Sequence, residues 1–510
     1  MSIFVNNYEA NDFVPRGIVN LVRGRGLATA ENIPRRICLI GQMKTTGRDA
    51  GSAATNEAHQ VYSERPNEET PALSSATELF GAGSELHLMC RAVYKAYPGA
   101  NLWAIPVELK VDSNLRATAK ITLTGTAKRV GEWWISIHGT RVQVRIEKDD
   151  TAQETLKKIA TALNTWDDLP LDRYDEDGDA VIDPEGSSQV LTIPANHYGE
   201  HGNYFEIHRR GGVAGQAMTI DSFSGGAGVN DLESAFKVLE KQRFHYIVVA
   251  NTDEDQLSKL RGQLDSIANP KIGLRAQAVF GWNRALDEGA TNSVDLAGTL
   301  NSPRMQCVWS KGSAIPPGEL AAAMAGHRAW MEAGYPAVNL SGHTIVGVPR
   351  PRLPSDLPSH RDLDTALHSG VTPLNMRGTE MSIVRSVTTC SRNETGGGSY
   401  ELLDTNKVTT SDYIADDVAI RMEDRYKGFK LSPDTDAPIP SRTATPMSVR
   451  KSIIEWLREY EKKGLVRRVN ESIEAVKVEI SDEADGRIDF EVPEAVVDIC
   501  AVTAGNLIRY

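Results

Sequence analysis

Five residues carry the most explicit chemistry in the chain. His197-Tyr198-Gly199-Glu200-His201 spells H-x-x-E-H, the string in which zinc hydrolases set two imidazoles and a water-activating carboxylate on one helical face. Pro194, Gly199 and Gly202 deny this stretch a sound helix. The string therefore reads as a surface loop without zinc, and both histidines as dispensable. Asp175-Glu176-Asp177-Gly178-Asp179 has the texture of a calcium loop. Setting Gly178 at the sixth position of an EF-hand puts Arg173 first and Pro184 twelfth, where carboxylates belong. The frame fails, leaving a solvated acidic turn. Gly81-Ala82-Gly83-Ser84 could nest a phosphate, but no P-loop lysine follows and helix entry suffices. No serine occupies a Gly-x-Ser-x-Gly turn. Cys38, Cys90, Cys307, Cys390 and Cys500 are odd in number, widely spaced and mostly in apolar runs, as buried thiols are. The expectation is no catalytic residue, no metal and no cofactor.

The elements around these groups begin as an α/β alternation at Arg35. Arg36-Ile37-Cys38-Leu39-Ile40 is a buried-strand run ended by Gly41. Leu86, Met89, Cys90, Val93 and Tyr97 share one helical face over 84–97, which Pro98-Gly99 stops. A strand follows at 102–107, and after a gap come helix 231–242, strand 245–250, helix 253–268, strand 276–282, strand 305–309 and helix 318–333. That order predicts a doubly wound, mostly parallel sheet. The gap, 117–226, reads differently: period-two strands at 121–126, 132–137 and 142–146, a tight turn at Gly139-Thr140, an amphipathic helix over 151–164, and strands at 190–193 and 205–208. It predicts a small α+β insertion. Pro349, Pro351, Pro354 and Pro358 mark an extended connection, 412–427 a charged surface helix, 432–446 a linker and 447–463 a helix stopped by Gly464.

Length and charge set bounds. At ~150 residues per domain, 510 residues imply three to four domains. The apolar fraction of 40% supports packed cores. No apolar run reaches the ~18 residues of a membrane span, and the first residues form no signal peptide. A cytosolic protein without membrane insertion is expected. A formal charge of −12 argues against direct nucleic-acid binding, which needs clustered Lys and Arg.

The end of the chain is a joint in waiting. Val476, Val478 and Ile480 alternate with polar residues, as do Ile488, Phe490 and Val492, with Asp485-Gly486 between them. This is a hairpin with one apolar face. A third apolar run, 496–502, follows Pro493, and a two-stranded hairpin needs further strands or a covering helix. A terminal strand can pair within its own subunit or reach into a neighbour. At the other end, residues 1–30 carry Ile3, Phe4, Val5, Phe13, Val14, Ile18 and Val19 with no helical period, the texture of a frayed terminus.

Several stretches together carry a family resemblance. Arg487-Ile488-Asp489-Phe490-Glu491-Val492-Pro493, then an apolar run to the terminus, resembles the C-terminal domain of contractile phage tail sheath proteins. Leu367-His368-Ser369-Gly370-Val371-Thr372-Pro373-Leu374 leading into Met381-Ser382-Ile383-Val384-Arg385-Ser386-Val387-Thr388-Thr389 is similar to that family's paired signature. Leu39-Ile40-Gly41-Gln42, Glu78-Leu79-Phe80-Gly81-Ala82-Gly83-Ser84 and Gly202-Asn203-Tyr204-Phe205-Glu206-Ile207 extend the likeness over nearly the whole chain, closest to the Mu-like branch.

The resemblance implies a subtilisin-like α/β core without its catalysis, a protruding β-rich α+β domain inserted in it, and a C-terminal α+β domain with exchanged terminal strands. The expected boundaries are an extended arm at 1–30, core at 31–116 and 227–431, insertion at 117–226, linker at 432–446 and C-terminal domain at 447–510. It also implies that the first thirty residues tie to a neighbour. Subunit contacts are accordingly expected at Phe4, Val5, Phe13, Val14, Val496, Val497, Ile499, Ala501 and Val502. The implied partners are further copies in stacked hexameric rings, an inner tail tube protein, and baseplate and tail terminator proteins. The implied place is a virion tail assembled in the host bacterial cytoplasm. A phage-tail-like bacteriocin would be built the same way. An α/β hydrolase with a β-rich accessory domain is the rival from another class, disfavoured by the missing motifs and the free arms.

Overall fold

The computed structural model describes residues 35–45, 50–63, 74–108, 115–167, 169–175, 177, 179–184, 189–269, 272–289, 292–393, 395–434, 441–480, 487–493 and 495–499. Phe4, Val5, Phe13, Val14, Ala501 and Val502 lie outside the described residues, as do Glu176, Gly178 and Asp485-Gly486. The described chain forms two compact units, 35–412 with 496–499, and 413–495.

The larger unit opens with β1 (Arg36–Gly41), β2 (His59–Val61), α1 (Ser74–Phe80), α2 (Glu85–Ala96) and β3 (Asn101–Pro106). α2 begins where the Ser84 side chain accepts the His87 N–H, a cap that satisfies one orphan donor. The insertion follows as β4 (Arg116–Gly125), β5 (Gly131–Ile137), β6 (Thr140–Ile146), α3 (Ala152–Thr165), β7 (Val190–Tyr198), β8 (Ile207–Gly212) and β9 (Gln216–Ser224). Its strands form two antiparallel three-stranded sheets, β7-β4-β9 and β6-β5-β8. In the β5–β6 hairpin Ile137 pairs with Thr140, so the two-residue turn is His138-Gly139, one residue earlier than the sequence suggests. Both turn residues have positive φ, 49° and 78°, as a hairpin of this length requires. Ile121, Trp133, Ile135, Leu156, Ile159, Leu191 and Ile207 gather into an apolar cluster confined to the insertion.

The alternation resumes with α4 (Glu233–Leu239), β10 (Tyr246–Val249), α5 (Glu254–Ile267), β11 (Gln277–Trp282), α6 (Ser293–Leu300), β12 (Met305–Trp309), α7 (Pro317–Gly334), α8 (His360–His368), β13 (Val371–Arg377), β14 (Glu380–Ile383) and α9 (Thr405–Tyr426). Eight described strands form one sheet in the order β14-β13-β12-β11-β10-β1-β3-β2. All neighbours from β13 to β3 pair in parallel, and β14 and β2 close the edges antiparallel. Period-two strands split their side chains between two cores. Ile37 and Leu39 of β1 meet Leu86 and Met89 of α2 and Leu320 and Met324 of α7 on one face. Cys38 and Ile40 meet Leu239, Leu257 and Leu296 of α4, α5 and α6 on the other. The sheet is therefore wound on both faces, as the order of elements implies. α7 starts so close to β11 that a Cβ on Gly281 would lie 2.1 Å from the Pro317 carbonyl oxygen.

One ion pair is sealed inside this unit. Arg328 and Glu332, one helical turn apart on α7, are both fully buried and 2.8 Å apart. Arg328 also donates to Gln306 on β12 at 2.9 Å, to Gln277 on β11 at 2.8 Å and to Thr409 on α9 at 3.2 Å. The Tyr246 hydroxyl of β10 donates to Glu332. A buried guanidinium is tolerable because its donors are met in this way. The same bonds tie the first turns of α9 to the sheet. Residues 412–427 were expected as a surface helix, but α9 is longer and Val408, Tyr413, Ile414 and Asp417 along it are buried.

The smaller unit contains the rest of α9, short parallel strands β15 (Lys430–Leu431) and β16 (Thr443–Ala444), α10 (Pro446–Lys462), α11 (Val469–Ala475), β17 (Lys477–Ile480) and β18 (Ile488–Glu491). α10 starts with Pro446 at its first position and a reciprocal Thr445–Ser448 cap. Tyr460 donates to Asp417 at 2.7 Å, and Arg421 reaches Glu459 at 2.6 Å, joining α10 to α9.

Candidate functional site

The hairpin expected at the chain end is present. Val478 faces Phe490 and Ile480 faces Ile488 across β17 and β18, so the apolar alternation lies on one face. Arg450 of α10 donates to the carbonyls of Ile473 at 2.8 Å and Val476 at 3.1 Å, which fixes where β17 begins. Among the described residues this sheet has two strands of four residues each and no third strand. Phe490 remains 45% exposed, too open for a finished core position. Both outer edges thus offer backbone groups to another strand.

Of the expected contact residues, Val496, Val497 and Ile499 fall within the described set, half-buried. Val496 makes a single bridge, and residues 497–499 form no strand. Asp498 pairs with Lys407 of the same chain at 2.9 Å. The segment after Pro493 therefore touches its own subunit at this point.

The H-x-x-E-H string is placed quite differently from the expectation. It is no surface loop: His197 lies in β7 one residue before its end, a 3-10 turn spans Glu200–Tyr204, and His197 and His201 are both buried. The partner that the linear sequence does not disclose is Glu85, in the first turn of α2. The Glu85 N–H donates to His197 Nε2 at 3.0 Å. Its carboxylate takes the Gln42 N–H at 2.7 Å, the Asn230 side-chain amide at 3.0 Å, and lies 3.0 Å from His201 Nδ1. Burial alone would raise the Glu85 carboxyl, but the charge and hydrogen bond of His201 and the Gln42 N–H hold it down at about 2. Burial works against the His201 cation, yet Glu85 outweighs it and the His201 pKa is raised. Burial pushes His197 down to about 3, so it stays neutral and accepts through Nε2.

A second contact of the same kind lies nearby. His138, from the β5–β6 turn, reaches Glu319 in the first turn of α7 at 3.0 Å. The positive end of a helix favours a carboxylate in its first turn. Two histidines of the insertion thus meet two carboxylates that begin core helices.

This arrangement joins the insertion to the core within one chain. The cavity lined by Gln42, Glu85, Glu200, His201, Tyr204 and Asn230 measures ≈ 30 Å³, on the scale of a water molecule. Among the described residues no group of three or more His, Cys, Asp or Glu is placed to hold a metal ion. Cys38, Cys90 and Cys307 are buried free thiols. No described helix is long and apolar enough to cross a membrane.

Comparison with known proteins gives a full-length relative. The chain is 24% identical over 515 aligned positions to the Mu-like prophage FluMu tail sheath protein of Haemophilus influenzae, covering 98% of this chain and 97% of that one. The likeness to tail sheath proteins expected from the ordered stretches is met by this relative. No protein-family profile matches the chain. Among solved structures, the crystal structure of the sheath tail protein from Desulfitobacterium hafniense aligns over 95% of this chain and 97% of its own, with 11% identity and a TM-score of 0.48. The helical sheath of the anti-feeding prophage in its contracted state aligns over 98% of each chain, with 9% identity and a TM-score of 0.47.

Proposed function

We propose that the chain is the structural subunit of a contractile tail sheath. The observation that carries this reading is the end-to-end likeness to a prophage tail sheath protein, 98% of one chain on 97% of the other. Subunits stack as hexameric rings, wound helically around an inner tail tube between baseplate and tail terminator. Contraction drives the tube through the host envelope for genome ejection, with energy stored at assembly and no nucleotide consumed. The core is a subtilisin-like sheet used without catalysis, and the finished particle is a virion tail built in the host cytoplasm.

The joint lies in the terminal strands. Residues 496–502 add to the β17–β18 ribbon of a neighbour, with Val496, Val497, Ile499, Ala501 and Val502 contributing side chains, and Phe4, Val5, Phe13 and Val14 serve the other arm. About six ladder hydrogen bonds at ~0.5–1.5 kcal/mol each are set against roughly 4–15 kcal/mol for immobilising a subunit. One strand is barely sufficient, so each subunit uses linkages at both ends. Flexible linkages survive the rotation that contraction requires. The open edges of the ribbon and the exposed Phe490 support this reading.

Negative-stain microscopy of the purified chain tests it: tubes or stacked rings are expected, and a monodisperse globular particle would overturn it. A phage-tail-like bacteriocin would use the same subunit, and a particle without a DNA-filled head would identify that owner.

A further inference from the structure

The chain carries a net −12, yet one concave face of the larger unit is strongly basic. The outward face of sheet β6-β5-β8 sets Arg141 across from Ser136 and His208, and Trp134 across from Arg210. The Pro-rich connection brings Arg352 to the same cleft, which measures ≈ 680 Å³, and Arg350 to the adjoining one. Arg209 lies over the Trp133 ring at 5.7 Å. Of the acids near this face, Glu206 is taken by His208 at 3.0 Å, and Glu132 stands at the start of β5 between Arg145 and Gly212. Among the described residues no carboxylate pairs with Arg141, Arg210, Arg350 or Arg352.

Four like charges gathered without counter-ions repel one another, a cost that a bound polyanion would reverse. The insertion itself carries a complementary piece. Asp175, Asp177, Asp179 and Asp183 are exposed on one turn, and Asp177, Asp179 and Asp183 have no ion-pair partner among the described residues. A basic cleft and an acidic turn on different parts of one chain make a heterologous pair, the kind of contact that repeats along a helical polymer.

We propose that the Arg141–Arg210–Arg352 cleft is an interface for a second copy of this chain, whose acidic turn around Asp179 docks in it. The proposal rests on the polymer reading and adds to the terminal strands a salt-sensitive contact between neighbouring subunits. Guanidiniums suit this role because their planar forks take carboxylates in pairs. Trp134 supplies a flat floor on which the turn's exposed Val181 can rest.

The test mixes two full-length single variants, Asp179→Cys and Arg352→Cys, under mild oxidation. A disulfide-linked dimer is expected in the mixture at least about tenfold above either variant alone, falling as NaCl rises from about 50 mM to about 0.5 M because screening shortens the reach of surface charges. Adding Arg210→Glu to the Arg352→Cys chain should abolish the excess. Microscopy of the unmodified chain is run in parallel. Tubes without the mixed disulfide would overturn this contact and leave the polymer reading standing. Neither tubes nor disulfide would overturn both. A sulfated oligosaccharide that binds the cleft and leaves the disulfide yield unchanged would assign the face to a polysaccharide instead and overturn the proposal.

Discussion

Glu85 and His201 face each other at 3.0 Å with almost no solvent on either side chain, 1% and 6% exposed. The carboxylate begins a core helix and the imidazole belongs to the insertion. Their contact fixes how one is set on the other.

Replacing Glu85 by Gln should therefore be costly. The variant takes from buried His201 the carboxylate that raises its pKa and gives the Gln42 and Asn230 donors a weaker acceptor; removing one partner of a buried pair costs roughly 3–5 kcal/mol. Urea denaturation at neutral pH measures it. Glu85→Gln combined with His201→Gln should lose less than the two single changes summed, and additivity would show that the pair is not coupled. The double change His197→Ala with His201→Ala should be destabilising too, opposite to the expectation for a surface loop.

Acid should weaken the fold in a window set by neutral buried histidines. His197 is held down to about 3, His327 to about 4 and His245 to about 2, in each case chiefly by burial. Below the unfolded value of ~6.5 the unfolded chain binds protons that these groups refuse, so stability falls as pH drops from there towards the folded values. Glu85 adds to the loss below ~4.3, as the pH approaches its depressed value of about 2. His201 acts in the opposite sense: its raised pKa contributes most below ~6.5 and is lost as pH rises through its folded value. Thermal midpoints across pH 4 to 8 should show this, and His245→Asn, which keeps an acceptor for the Arg36 N–H, should flatten the acid limb.

Arg328 offers a cleaner stability test away from the insertion. Arg328→Met strands Glu332 and the side chains of Gln277 and Gln306 in a dry core, and should cost about 3–5 kcal/mol. Arg328→Met with Glu332→Leu removes both charges and should recover much of that loss. Denaturant midpoints with unchanged m-values would confirm that stability alone has moved.

Truncation addresses the joint. A chain ending at Pro493, or one lacking residues 1–19, should remain a folded monomer and form no tubes. Normal tubes from either would show that the terminal strands are not the linkage.

The core was legible because a strand buried on both faces is written as a continuous apolar run. Ile37-Cys38-Leu39-Ile40 and Met305–Trp309 could hardly be anything else. β13 shows in the sequence only as a motif, since Pro373 within it reads against a central strand. α6 is short and carries Gly298, which dilutes its period. β9 escaped because Ala217, Thr219 and Asp221 leave only Met218 and Ile220 to signal alternation. The histidine joint runs against its linear signal. Glycines around it correctly spoke against a helix, but absence of helix does not imply exposure. Gln42, Glu85 and Asn230 arrive from three remote segments, and a linear pattern carries no record of such meetings.

The large sheet ends on one side in the three residues of β2 and on the other in the four of β14, both turned against the direction of their neighbours. Short reversed borders give a passing chain little to template on. The widest pleated surface of the molecule is thereby the one least open to pairing with another chain. On the proposed polymer reading, pairing is left to the β17–β18 ribbon, whose edges stay open among the described residues.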